Sequence, residues 1–223
     1  MRAAPRAPAS RRTGRLSPTS AYDRKDRFHA RAKREGYASR AAYKLVELQR
    51  RARLLRPGQR VADLGCWPGG WLQVAAEAVG PRGRVVGVDL AAIEPALSNA
   101  NVIAFVGDLG DAALSQQILE RLGGPADVVL SDAAPKLTGI RDADRAREEA
   151  LLEALEARIP ELLRPGGHAI VKLLDSPEAS AFRKRLARRF ESAQLTTTEA
   201  TRKGSTERYL LLRGFRKGSD PAA

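Results

Sequence analysis

Lys172 interrupts the apolar run A-I-V-K-L-L at 169–174, where a cationic side chain is costly to bury unless it is paired or put to use. Two carboxylates are placed to face it. Asp132 closes D-V-V-L-S-D on the preceding strand candidate, and Glu207 opens the last one in S-T-E-R-Y-L-L-L. An amine held among acids can move a proton or stabilise developing negative charge. The plainer alternative is a lysine snorkelling from a strand end.

A second constellation lies upstream, in D-L-G-C-W-P-G-G-W at 63–71, directly after the short apolar stretch R-V-A. An acid at a strand's carboxyl end, a turn with three glycines and Pro68, and then an apolar helical run describe the first ligand crevice of a nucleotide-binding α/β sheet. Gly65, Gly69 and Gly70 allow backbone angles and close approaches closed to other residues, while Asp63 supplies an acceptor. The dinucleotide fingerprint G-x-G-x-x-G is excluded, because Trp67 stands at its third position. Asp89, closing G-R-V-V-G-V-D about twenty residues after the glycine pair, is placed to accept ribose hydroxyls. The third strand candidate ends at Gly107-Asp108. Each acid alone could equally be a helix cap or a solvated loop residue.

These residues need a sheet to hold them. Strand candidates fall at 60–63, 84–88, 102–106, 127–131 and 168–173, with helices at 70–78, 110–122 and 141–163 between them. A helix at 176–190 and strands at 193–199 and 207–212 follow. Alternating elements of this length predict an α/β fold, a mostly parallel seven-stranded sheet with helices on both faces and an antiparallel hairpin at one edge. The hairpin turns around Arg202-Lys203-Gly204. Residues 22–56 read as helical, with Ser39 as an N-cap and Ala42, Leu45, Val46 and Leu48 as the stripe facing the sheet.

The 223 residues suit one domain, 22–215, between disordered tails at 1–21 and 216–223. The chain carries a formal net charge of +13, which favours a polyanionic partner, first of all nucleic acid. Residues 22–56 form a basic segment with Phe28, Tyr37 and Tyr43 interspersed, a surface on which RNA backbone can lie. The arginine-rich start at 1–21 reads either as a phosphate-gripping tail or as a transit peptide. A single cysteine, Cys66, excludes an internal disulfide, and with two histidines leaves no zinc cluster, so no metal is expected. No apolar run approaches the roughly 18 residues of a membrane span, and a cytoplasmic protein is expected.

The turn D-x-G-x-x-P-G-G resembles the S-adenosylmethionine loop of class I methyltransferases, and the whole stretch from about Asp26 to Phe215 resembles the FtsJ/RlmE family of ribosomal RNA 2'-O-ribose methyltransferases. That family's catalytic order is lysine, aspartate, lysine, glutamate. Lys44 in S-R-A-A-Y-K-L-V-E-L, Asp132 in S-D-A-A-P, Lys172 in I-V-K and Glu207 in S-T-E-R-Y match it in order. The resemblance implies a class I, Rossmann-like fold and a methyl donor held by Asp63, Gly65, Pro68, Gly69, Gly70, Trp71, Asp89, Asp108 and Asp132. Within that set Asp108 would meet the adenine amino group and Trp71 would pack by the cofactor. Lys172 would be the base or the electrostatic stabiliser at a ribose 2'-hydroxyl. The implied substrate is large-subunit ribosomal RNA, at the A-loop uridine, presented on a ribosomal particle to a monomeric enzyme. Transfer RNA, another ribosomal site, or a non-catalytic assembly factor are the competing readings. Cys66, Trp67, Ala133 and Lys136 depart from the family pattern. His29 and His168 read as structural or surface residues, and Cys66 as a packing residue.

Overall fold

The structure is a computed structural model, and it describes residues 22–135, 138–201 and 204–218. The expectations for 1–21, for 219–223, for Lys136 and for Arg202-Lys203 lie outside the described residues. Elements follow in the order α1 (Tyr22–Glu35), α2 (Ala42–Ala52), β1 (Arg60–Leu64), α3 (Gly70–Val79), β2 (Arg84–Asp89), β3 (Val102–Val106), α4 (Leu114–Leu122), β4 (Ala126–Ser131), α5 (Arg141–Leu162), β5 (Leu163–Leu173), α6 (Pro177–Ala187), β6 (Phe190–Thr196) and β7 (Arg208–Phe215).

The seven strands form one sheet in the order β3-β2-β1-β4-β5-β7-β6. Strands β1 to β5 pair in parallel, as buried βαβ units must, and β7 runs antiparallel to both β5 and β6. The hairpin therefore closes one edge of the sheet. Within it β7 is the inner strand, because its run R-Y-L-L-L-R-G-F is buried along most of its length, whereas β6 is largely exposed.

Side chains alternate across the sheet with period two, and this parity assigns each residue to a face. Ala62, Leu64, Val86, Val88, Val129, Ala169 and Val171 join one core beneath α4, α5 and α6. Val61, Val85, Val128, Leu130, Ile170, Tyr209 and Leu211 join the other, beneath α2 and α3. Asp63, Asp132 and Lys172 share the parity of this second set, so all three belong to the face that α2 covers.

Several expected boundaries move for local reasons. The helical reading of 22–56 breaks at Gly36, which takes φ +78, and α2 restarts at Ala42. Ser39 is not its cap: α2 is capped at Ala41 without a side-chain bond, and the Ser39 hydroxyl is buried under α3 without a partner. Val46 leaves the expected stripe and is 39% exposed, whereas Ala42, Leu45 and Leu48 are fully buried. The start of α4 slips from 110 to Leu114 because Asp108 and Asp111 accept bonds from Gly110 N and Ala113 N at 2.9 Å each, closing turns in place of helix. Strand β5 begins at Leu163, since Leu163 pairs with Ala126 before an irregularity in register.

Candidate active site

Strand β1 ends in Leu64, and the chain turns back over the sheet through Gly65 and Cys66, whose amides both donate to Val88 O at 2.8 and 3.1 Å. Gly65 takes φ +81, and a Cβ there would lie 2.5 Å from Ala133 Cβ. Glycine at this position lets the turn rest directly on the residue after Asp132. Gly70 opens α3 where a Cβ would meet Ser39 Oγ at 2.6 Å. The turn is thus clamped between β4 and the segment preceding α2.

Three expected donor-side acids sit at the carboxyl ends of successive strands. Asp89 accepts from Trp67 N at 2.9 Å and Ala91 N at 3.1 Å, so it fixes the turn from the side while keeping further acceptor capacity. Asp108 is exposed and caps its own turn through Gly110 N. Asp63 is 0% exposed and neither carboxylate oxygen has a hydrogen-bond partner. Burial first, then the charges of Asp132 and Asp89, push its carboxyl well above the usual range. A cavity of about 370 Å³ adjoins Asp89, lined by Cys66, Ala91, Ile93, Leu97, Val102 and Val106 among others. Cys66 is packed there with its thiol pushed up by burial, and a Cβ on Gly87 would lie 2.8 Å from its Sγ. Its neighbour Trp67 is 59% exposed.

Trp71 points inward. Its indole Nε1 donates to Ala41 O at 2.9 Å and its ring packs 6.0 Å from that of Tyr209, which makes it a strut between α3, α2 and β7. Pro68 follows Trp67 on the turn, half-buried.

The structure brings Lys44, Asp132, Lys172 and Glu207 together. Helix α2 packs on the face shared by Asp132 and Lys172 and delivers Lys44 Nζ to Glu207, at 3.0 and 3.2 Å from its two oxygens, and to 3.6 Å from Asp132 Oδ2. Lys172 Nζ lies 3.4 Å from Asp132 Oδ1 and donates to the Asp132 carbonyl at 2.5 Å. Both lysines are buried, at 7% and 9% exposure, and their amines face the carboxylates of Asp132 and Glu207. Sequence reasoning gave no role to Tyr209. Its hydroxyl donates to Asp132 Oδ1 at 3.0 Å, and it is the register partner of Lys172 across β5 and β7. Its place two residues after Glu207, at the opening of a strand, was the available signal.

Around the N-terminal segment the aromatics are tied inward and offer no open stacking platform. Tyr43 donates to Glu35 Oε2 and Tyr37 to Glu77 Oε2, each at 2.9 Å, and Phe28, Tyr37 and Tyr43 pack against one another. Lys33 and Arg34 remain exposed on α1. His29 is exposed, and His168 Nδ1 accepts from Gly214 N at 3.3 Å, away from the cluster.

The profile of the family described as FtsJ-like methyltransferase matches residues 37–215. The chain is 43% identical over 196 residues, 88% of its length and 98% of the relative's, to the ribosomal RNA large subunit methyltransferase E of Syntrophobacter fumaroxidans. It is 39% identical over 192 residues, 86% of its length and 91% of the relative's, to the protein of the same name from Pseudomonas aeruginosa. Among solved structures it is similar to a ribosomal RNA methyltransferase of Plasmodium falciparum, with TM-score 0.70 and 26% identity over 81% of this chain and all of that one. The clamped glycine turn, the acids at the strand ends and the buried lysine-acid cluster thus sit in a chain that belongs to the FtsJ-like methyltransferase family.

Proposed function

We propose that this protein transfers a methyl group from S-adenosylmethionine to a ribose 2'-hydroxyl of large-subunit ribosomal RNA, at the A-loop uridine, in the cytoplasm. The observation that carries the reading is the buried cluster of Lys44, Asp132, Lys172 and Glu207 beside the glycine turn. Relatives named ribosomal RNA large subunit methyltransferase E, covered over most of their length, support the choice of RNA.

The residues fit this methyl donor. Asp63 and Asp89 lie at the turn, and Asp63 is buried with both oxygens unpartnered, an orphaned acceptor whose charged form a cationic ligand would favour. Asp89 has acceptor capacity for ribose hydroxyls, and the apolar cavity beside it has the size of a small-ligand site. When bound, the donor supplies a methyl group already activated by a positively charged sulfur, so the chain's own residues need only prepare the nucleophile.

Lys172 Nζ is the group we assign to the 2'-hydroxyl. Asp132 divides its charge among Lys44, Lys172 and the Tyr209 hydroxyl, and Glu207 is engaged by Lys44, so Lys172 faces only a shared carboxylate and acts as a base in its neutral amine form. Lys172 Nζ would take the hydroxyl proton, while the bound donor would supply the methyl group to the oxygen lone pair and keep the C–S bonding electrons on its sulfur. Glu207, Lys44 and Tyr209 act as positioning residues, holding Asp132 and through it Lys172.

Mapping of 2'-O-methyl groups in ribosomal RNA from cells with and without the gene tests the function. One large-subunit ribose should lose its methyl on deletion and regain it on complementation. Loss confined to transfer RNA, or an unchanged map, would overturn the reading.

A further inference from the structure

We infer that the end of the sheet opposite the candidate active site is a second RNA-binding surface, which grips phosphates of an RNA segment remote from the target ribose. The inference rests on the ribosomal RNA reading above. Strands β1, β2, β4 and β5 enter the sheet at this end, and β7, which runs the other way, leaves by it. The segments gathered there, 53–60, 80–84, 121–127, 163–168, 187–191 and 213–217, carry twelve Lys and Arg against two acids, Asp127 and Glu191.

The fold, not proximity in sequence, assembles them. Arg60 and Arg84 are register partners at the starts of β1 and β2. Asp127 is already engaged, by Arg164 Nε at 2.6 Å and Arg60 N at 2.8 Å, so one of the two acids is neutralised. His168 is held below its ordinary pKa by burial and then by Arg213, Arg164 and Arg56, a sign that these guanidinium groups share one positive field. At the other end of the same strands four acids, Asp63, Asp89, Asp132 and Glu207, stand with two bases, Lys44 and Lys172.

Several arginines elsewhere on the described surface are paired with acids, as in Arg31–Glu35, Arg145–Glu178 and Arg185–Glu156. A ratio of six to one at a single pole is not an evenly solvated arginine surface. Its chemistry suits regularly spaced phosphates, which arginine binds through its planar fork. A five-residue strand at about 3.3 Å per residue separates the poles by roughly 17 Å. The phosphates directly flanking the target ribose do not span that distance, so the occupant is RNA at least several nucleotides away from the target.

The test compares the full chain with the combined variant R56Q/R82Q/K217Q, three exposed positions, in equilibrium binding to two RNAs. One is a trinucleotide centred on the target ribose, too short to reach the far pole, and the other is the large ribosomal particle isolated without the methyl group. Particle affinity should fall about 100-fold at 0.15 M salt, as expected when roughly three phosphates are no longer neutralised, and the salt slope should shrink by about 2 to 3. Trinucleotide affinity should stay within about twofold, because that RNA does not extend to the far pole. The single change Arg82→Glu, on a turn outside every strand, should act in the same direction and guards against misfolding of the triple variant. Unchanged particle binding, or an equal loss on both RNAs, would overturn the inference. Methylation of the particle by the unaltered chain is read in the same samples. Its absence refutes the function on which the inference rests, whereas methylation with equal binding by variant and parent refutes the second surface alone.

Discussion

Asp63→Asn should strengthen the ligand-free fold and weaken its hold on the methyl donor. In the parent, both Asp63 oxygens are buried without a partner, and Asp132 and Asp89 add repulsion. A buried acceptor left unsatisfied costs about 1–3 kcal/mol, and more when charged. Asparagine keeps the shape and removes the charge. The sign follows from linkage: the folded carboxyl titrates above its unfolded value, so its favourable contribution is complete below the unfolded pKa and is lost as pH rises through the folded one. The variant's advantage should therefore widen with pH above the usual carboxylate range and then level off. At about 2–4 °C per kcal/mol for a chain of this size, the gain in melting temperature at neutral pH is about 2–12 °C. The gain that a cationic ligand draws from the parent's unpaired charge is bounded by the same cost. Affinity for S-adenosylmethionine should thus fall by about 5- to 150-fold, the equivalent of about 1–3 kcal/mol. Thermal melts at several pH values, with calorimetric titration of the donor, read both effects. A variant that melts lower than the parent at neutral pH and binds S-adenosylmethionine equally well would rule out this role for Asp63.

Tyr209→Phe removes the hydroxyl on Asp132 without opening a cavity, and should lower stability by about 1.5–3 kcal/mol and turnover by about tenfold or more, with donor affinity nearly unchanged. Melts, single-turnover rates and donor titration measure the three quantities. Gly65→Ala, at φ +81 and 2.5 Å from Ala133 Cβ, should cost about 2–5 kcal/mol by summing left-handed strain and overpacking. Gly69→Ala should cost less in the same denaturant series, since its nearest neighbours are the ends of the Leu97 side chain at 3.2 and 3.3 Å. Trp71→Phe breaks the indole bond to Ala41 O and should destabilise by about 1–3 kcal/mol with little change in donor affinity. Loss of donor binding at unchanged stability would place that indole on the cofactor instead.

The alternation of β1, β2, β3 and β4 with their helices was legible because each strand is a short apolar run bounded by turn residues, and Val102–Val106 falls where its pattern puts it. The buried Lys172 and its partner Asp132 were legible because a charge inside an apolar run breaks a strong local rule, whereas Glu207, expected to face Lys172, pairs with Lys44. Lys44 is reached through family resemblance, because nothing in the pattern of α2 says which sheet face it covers. Ser39 has the residue type of a cap, yet the close approach of Gly70 buries its hydroxyl. Tyr209 sits in an apolar strand like any core aromatic, and only the β5–β7 register shows its hydroxyl meeting Asp132. The basic pole was invisible in the sequence, since its six segments are separated by whole βα units and meet only through strand order.

If Lys172 acts on the acceptor and not on the donor, its loss must separate methyl transfer from donor binding. Single-turnover methylation of large-subunit RNA by Lys172→Ala, with calorimetric titration of S-adenosylmethionine on the same sample, measures both. The methylation rate should fall by about 10²–10⁴-fold while donor affinity stays within about threefold of the parent. Near-normal methylation, or loss of rate explained entirely by loss of donor binding, would contradict that role.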